Sequence, residues 1–158
     1  MQKITNLSEK TIKFLEEKNI NFDKIILKRE PKSADDIKEL FWLELKKILK
    51  TILFIWENEP VLLVLSWDKK VDIWKVKKIT KQKNIRIAQI EEVKNISWYS
   101  VNWIGPFWLK NNIKKIIDNS VFDEDYITIW SGDPKIGLWL KSLDLKQIWD
   151  WDFWDFVK

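Results

Sequence analysis

The sequence predicts a mixed α+β fold, a single domain over residues 1–158 with a mixed, largely antiparallel sheet and flanking helices. Three observations support this prediction. The chain has 158 residues, a length that suits one hydrophobic core. Segments with strand-like patterns outnumber helical ones, and many follow one another across short turns. No Pro/Gly/Ser-rich linker or internal repeat divides the chain.

Helices are predicted where apolar residues recur at helical spacing and polar capping residues precede them. Ser8 is predicted to cap the first helix and Ser142 the last. Ser33 and Asp36 form the S-x-x-D pattern that starts a helix. The five predicted helices are 9–19, one that begins after Ser33, 72–80, 91–96 and 143–148.

Strands are predicted where short apolar or alternating runs are rich in Ile, Val and Leu. The run 50–55 is rich in residues that favour strands, and 60–66 is nearly all apolar, so we expect both to be buried on at least one face. The predicted strands are 24–29, 50–55, 60–66, 85–90, 113–118, 126–130 and 136–141. A loop is predicted over 97–110.

Composition excludes several classes of site. The chain has no cysteine and no histidine, so Ser-His-Asp chemistry, thiolate nucleophiles and the commonest metal ligands are excluded. We therefore expect no metal. No apolar run approaches the roughly 18 residues of a membrane span, and the N-terminus lacks a signal-peptide core. These features predict a cytoplasmic protein. The net charge of +4 is compatible with a nucleic-acid partner or with a solvated lysine surface.

Tryptophan is anomalously frequent: the chain has 12 tryptophans and 3 glycines. Trp56, Trp67 and Trp130 lie at predicted turns or strand ends, where glycine is common. In 149–156, tryptophan alternates with aspartate in a way that does not suit a core. We therefore predict that most tryptophans stand for UGA codons that the source bacterium reads as glycine. The alternative is a Trp-rich surface that stacks bases or sugars, and UGG codons would favour it.

With tryptophan read as glycine, 97–110 becomes SGYSVNGIGPFGLK, which resembles the G-x-x-x-P loop region of the YbaK/ProX-type aminoacyl-tRNA deacylases. This family also supplies the editing domain of bacterial prolyl-tRNA synthetases. The segment 33–51 is similar to the family's helix, Leu-Gly and Lys-Thr, and 61–76 to its strand, Gly-Asp turn and helix start. The segments 88–99 and 130–145 follow in the family's order. The resemblance is strongest over residues 33–158 and implies a YbaK-like fold with a barrel-like core.

The resemblance implies hydrolysis of a mischarged aminoacyl-tRNA, which releases the amino acid and intact tRNA. Lys50 matches the lysine on which the family's activity depends, and its implied role is to hold the phosphate of the terminal adenosine and orient the ester. The loop 102–106 would shape the aminoacyl pocket and offer backbone N–H groups to the ester. Asn102 replaces the family's usual first glycine. The implied substrate-binding residues are Thr51, Asn102, Trp103, Ile104, Gly105, Pro106, Ser131 and Gly132.

The implied partner is the aminoacylated CCA end of tRNA, with prolyl-tRNA synthetase as a second candidate partner and no cofactor. Cys-tRNA(Pro) and Ala-tRNA(Pro) are the usual substrates of the family, and the broken loop pattern leaves the choice open. The alternative function is a non-catalytic tRNA-binding or synthetase-associated module with the same fold.

Overall fold

The computed structural model describes residues 2–57, 59–97, 113–148 and 152–158. This part of the chain contains both helices and strands, which confirms the predicted α+β class. The helices are α1 (Gln2–Glu17), α2 (Ala34–Phe41), α3 (Ile73–Thr80), α4 (Ile90–Ser97) and α5 (Ser142–Ile148). The strands are β1 (Phe22–Ile26), β2 (Leu49–Trp56), β3 (Glu59–Ser66), β4 (Ile85–Ile87), β5 (Lys114–Asp118), β6 (Tyr126–Trp130), β7 (Ile136–Lys141) and β8 (Asp152–Trp154). None of the described helices combines the length and the apolar character that a membrane span needs.

The described strands form two sheets. The first is a three-stranded antiparallel sheet in the order β1-β7-β6. The second has five strands in the order β4-β2-β3-β5-β8, antiparallel from β4 to β3 and parallel from β3 to β8. A parallel bridge between Ile48 and Thr128 connects the start of β2 to β6. The sheets are thus mixed and largely antiparallel, as predicted.

The central strands β2 and β3 are buried on both faces. Leu53 and Leu62 belong to one buried cluster, together with residues of α1, α4, α5 and the first sheet. Phe54 and Leu63 belong to a second cluster, which α3 and the C-terminal residues cover. Adjacent residues of a strand point to opposite faces, so two layers on opposite sides of β2–β3 explain why apolar residues occupy consecutive positions in both strands.

Side-chain caps define two of the helices. Ser33 Oγ accepts a hydrogen bond from the Asp36 backbone N–H at 3.1 Å, which confirms the predicted start of α2. Asp72 caps α3 by accepting from the N–H groups of Trp74 and Lys75. At the other end of α2, Trp42 adopts a left-handed conformation with φ of 58°, which glycine adopts at lower cost.

Two predicted caps are wrong. Ser8 lies inside α1, and its hydroxyl donates to Ser131 Oγ at 3.1 Å. The helix begins at Gln2, earlier than predicted, and Ser8 is buried within the protein. Ser142 begins α5, but its hydroxyl donates to the carbonyls of Glu124 and Asp125 instead of accepting from the helix.

The prediction that residues 149–156 do not suit a core is also wrong. Residues 152–154 form β8 and pair in parallel with β5, while Phe156 is fully buried in the second cluster. Neighbouring β5 and α3 supply the partners, so the Trp/Asp alternation does not prevent pairing. Trp56 and Trp130 are the buried last residues of strands, not turn residues. Trp149 and Trp151 lie outside the described residues.

Several boundaries differ from the prediction. The strand predicted at 24–29 lies at 22–26, and the one predicted at 85–90 ends at Ile87 because α4 begins at Ile90. Trp67 lies in a turn, and this turn leads from β3 to α3. Most of the loop predicted over 97–110 lies outside the described residues.

Candidate functional site

Lys50 is the second residue of β2 and pairs with Leu65 of β3. Its side chain is half-buried beside the turn that follows β3. The Nζ atom donates to the backbone carbonyl of Trp67 at 3.5 Å and lies 5.3 Å from the centroid of the Trp67 ring. An ammonium group has three donors, so this long contact leaves donor capacity for an anionic ligand.

Burial lowers the pKa of Lys50 from its usual value of 10.5. The negative charge of Asp68 acts in the opposite direction, and the positive charge of Lys70 lowers the pKa further. Removal of water from an ammonium group disfavours its charged form. The same desolvation strengthens the attraction between the ammonium and a phosphate that replaces the water.

Thr51 follows Lys50 and pairs with Val64. Because the pleat sends successive side chains to opposite faces of the sheet, the side chains of Thr51 and Lys50 diverge. Thr51 can therefore contact a ligand of Lys50 more readily through its backbone than through its hydroxyl.

Ser131 and Gly132 lie in the turn between β6 and β7. Ser131 is fully buried. Its hydroxyl donates to the Ile136 carbonyl at 2.9 Å and accepts from the Asp133 N–H at 3.2 Å. Gly132 has φ of 108°, a conformation that disfavours any side chain. In this arrangement Ser131 holds the turn in shape, and its hydroxyl is already used within the protein.

A third buried cluster connects these two regions. It contains Ile48, which precedes Lys50 by two residues, and Trp130, which precedes Ser131. Trp67 packs against the same cluster, and its backbone N–H donates to the Ile48 carbonyl at 2.9 Å. The start of β2, the turn after β3 and the end of β6 therefore meet around one packed layer.

The remaining predicted site residues, Asn102, Trp103, Ile104, Gly105 and Pro106, lie outside the described residues. Their proximity to Lys50 stays a prediction. In the part of the chain that is described, no three acidic side chains approach one another closely enough to hold a metal ion.

Sequence reasoning did not assign Trp67, Asp68 and Lys70 to the site. The structure places the Trp67 carbonyl against Lys50 and brings the charges of Asp68 and Lys70 close enough to affect its pKa. The resemblance of Trp67-Asp68 to the family's Gly-Asp turn could have revealed them. Because β2 and β3 are antiparallel, a turn directly after β3 must lie at the end of the sheet where β2 begins.

Comparison with solved structures supports the fold. The chain superposes with a TM-score of 0.82 on a crystal structure described as a proposed trans-editing enzyme for prolyl-tRNA synthetase, with 16% identity over 96% of this chain and 97% of that one. A second crystal structure, of a hypothetical protein, matches with a TM-score of 0.86 and 17% identity over 94% of this chain and 99% of the other. At these identities the similarity concerns the fold alone.

Sequence comparison gives the family. A proline–tRNA ligase of Aquifex aeolicus is 31% identical over 103 residues, which are 65% of this chain and 18% of the ligase. A proline–tRNA ligase of Brachyspira hyodysenteriae is 23% identical over 124 residues, or 78% of this chain and 21% of the ligase. The chain thus spans only about a fifth of the length of these relatives. The family model of the aminoacyl-tRNA editing domain matches residues 29–148, and the chain therefore belongs to the aminoacyl-tRNA editing domain family.

Proposed function

We propose that this protein hydrolyses mischarged aminoacyl-tRNA of the Cys-tRNA(Pro) or Ala-tRNA(Pro) type and works in trans in the cytoplasm. The observation that carries the proposal is the half-buried Lys50 ammonium at the start of β2, in a chain of the editing-domain family. The tRNA acceptor end is its partner, and prolyl-tRNA synthetase is a second partner that the relatives suggest.

The proposed reaction needs little protein chemistry because an aminoacyl ester is already activated. Water attacks the ester carbonyl carbon, the bond to the ribose oxygen breaks, and that oxygen regains a proton. Lys50 binds the phosphate of the terminal adenosine and holds the ester in position. The backbone N–H groups of 102–105 stabilise the oxyanion that develops. No side chain has to act as a nucleophile.

The proposed activity would complement that of a synthetase. A synthetase pocket discriminates against a missing methylene by only about 1–3 kcal/mol. A second site that hydrolyses the wrong product therefore adds accuracy that binding alone does not provide.

The test is a deacylation assay with a panel of mischarged tRNAs that includes Cys-tRNA(Pro) and Ala-tRNA(Pro). Lys50→Ala should reduce the rate about 100-fold or more, a loss similar to that of one oxyanion-hole donor. Lys24→Ala is the matched control, because Lys24 is an exposed lysine of β1. The control should retain full activity.

A second variant separates charge from geometry. Lys50→Arg keeps the positive charge and should recover part of the activity that Lys50→Ala loses. If no tRNA in the panel is deacylated by the folded protein, the catalytic proposal is wrong and the non-catalytic tRNA-binding module becomes the better explanation.

A further inference from the structure

The positive charge of this protein is concentrated in one segment. Residues 67–83 contain seven lysines and two aspartates, a net charge of +5, whereas the whole chain has +4. The rest of the chain therefore sums to −1. A segment of this kind can serve as the electrostatic footprint for a polyanion.

The structure places this charge on the surface. The segment comprises the turn after β3, the helix α3 and the residues that follow it. Five of its seven lysines are exposed, and Val76 is the buried residue through which α3 packs on the core. The exposed lysines therefore lie in the turn before α3, on α3 and in the residues that follow it.

The segment's charge is not neutralised by the described acidic side chains. Lys46 and Lys47, which lie elsewhere, form ion pairs with Glu124. Both arginines also pair with acids, Arg29 with Asp36 and Arg86 with Glu92. None of the seven lysines of 67–83 lies within 4 Å of a described carboxylate oxygen. Of the segment's aspartates, Asp72 accepts from backbone N–H groups as the cap of α3.

The segment begins at the candidate site. The Trp67 carbonyl accepts from Lys50 Nζ, and the charge of Lys70 reaches Lys50 strongly enough to lower its pKa. From there the chain continues into α3, whose eight residues span about 12 Å. If Lys50 binds the phosphate of the terminal adenosine, the segment is placed to bind the phosphates of the nucleotides next to it.

We propose that the segment 67–83 is the surface that binds the phosphate backbone of the tRNA acceptor end next to its terminal adenosine. This inference rests on the proposed function and adds the location of the RNA contact. The contact is electrostatic and independent of nucleotide sequence, because exposed lysines meet phosphates as point charges.

The test compares two triple variants with the same change in net charge. Lys70→Gln/Lys78→Gln/Lys83→Gln removes three exposed charges from the segment. Lys10→Gln/Lys13→Gln/Lys24→Gln removes three exposed charges from α1 and β1. Affinity for uncharged tRNA(Pro) is measured with the full chain over a range of salt concentrations, and far-UV circular dichroism confirms that each variant is folded.

Each lost phosphate contact should reduce the slope of log Kd against log salt by about 0.7–0.9. The segment variant should therefore lose about two units of slope and bind about 10- to 100-fold more weakly at 0.15 M salt. The control variant should change much less. Lys70→Arg/Lys78→Arg/Lys83→Arg keeps the charges and should restore the slope.

Equal losses in the two glutamine variants, or an unchanged slope in the segment variant, would overturn the inference. So would a segment variant that loses affinity for prolyl-tRNA synthetase and not for tRNA, because the segment would then bind a protein. A wild-type protein that binds tRNA through the segment but releases no amino acid leaves the inference intact and refutes the proposed hydrolysis.

Discussion

Trp42 offers a direct test of the proposed glycine decoding. It ends α2 with φ of 58°, and its side chain is 91% exposed. The left-handed conformation costs a residue with a side chain about 1–2 kcal/mol. Because the indole is exposed, Trp42→Gly removes almost no buried apolar surface.

The expected gain in the free energy of unfolding is reduced because glycine makes the unfolded chain more flexible. Glycine loses about 0.5–1 kcal/mol more conformational entropy on folding than a residue with a side chain. The net result for Trp42→Gly is a stabilisation of about 0.5–1 kcal/mol, which corresponds to an increase in Tm of about 1–4 °C for a chain of this size.

Trp74 provides the matched control. It is also exposed, at 79%, but lies in the first turn of α3, and the Lys77 Nζ atom is 5.3 Å from its ring. Glycine is a poorer helix former than tryptophan, so Trp74→Gly should destabilise the protein by about 0.5 kcal/mol. The same substitution is thus expected to stabilise the protein at Trp42 and to destabilise it at Trp74.

The assay is urea unfolding followed by far-UV circular dichroism, because fluorescence would change with the number of tryptophans. If Trp42→Gly destabilises the protein, or if both variants shift stability in the same direction, the argument from backbone conformation is wrong. If the signs are opposite, the gene should carry UGA at codon 42, and codon 74 becomes a position where a true tryptophan codon is expected.

Three further predictions concern the site and the core. The charged form of Lys50 is the active one, so the deacylation rate, corrected for uncatalysed hydrolysis, should fall as pH rises through a pKa below 10.5. Asp68→Asn removes a negative charge that raises this pKa, so the fall in rate should move to lower pH. If the fall does not move, a group other than Lys50 controls it. Asp118→Ala should lower the free energy of unfolding by about 2–4 kcal/mol, because a buried carboxylate that accepts from two backbone N–H groups is lost; a loss below about 0.5 kcal/mol in chemical denaturation would contradict this. Gly137→Ala would place a Cβ atom 2.6 Å from Phe41 Cε1 and should cost about 1–3 kcal/mol; an unchanged Tm would show that the Phe41 ring moves aside freely.

Local patterns predicted those elements whose partners lie close in sequence. The cap of α2 depends on Ser33 and Asp36, three residues apart. The runs 50–55 and 60–66 predicted two strands buried on at least one face, and these strands pair as β2 and β3. In contrast, β8 pairs with β5 and is held by the buried Asp118, which accepts from the Phe156 N–H at 2.9 Å. No pattern within 149–156 reveals a partner 38 residues earlier in the chain.

The site divides in the same way. Lys50 was found because its neighbours resemble a motif, a property of adjacent residues. The contact between Lys50 and the Trp67 carbonyl, and the charges of Asp68 and Lys70 that act on it, depend on how the end of β3 lies beside the start of β2.

The sequence by itself determined the α+β class, the family resemblance and the lysine at its centre, because capping patterns, apolar periodicity and motif spacing act over a few residues. Only the tertiary structure decided that the Ser131 hydroxyl is bonded inside the protein, that the C-terminal residues complete a sheet, and that the lysine-rich segment 67–83 begins beside Lys50. Those outcomes depend on contacts between distant segments, and such contacts are chosen by the packing of the whole core.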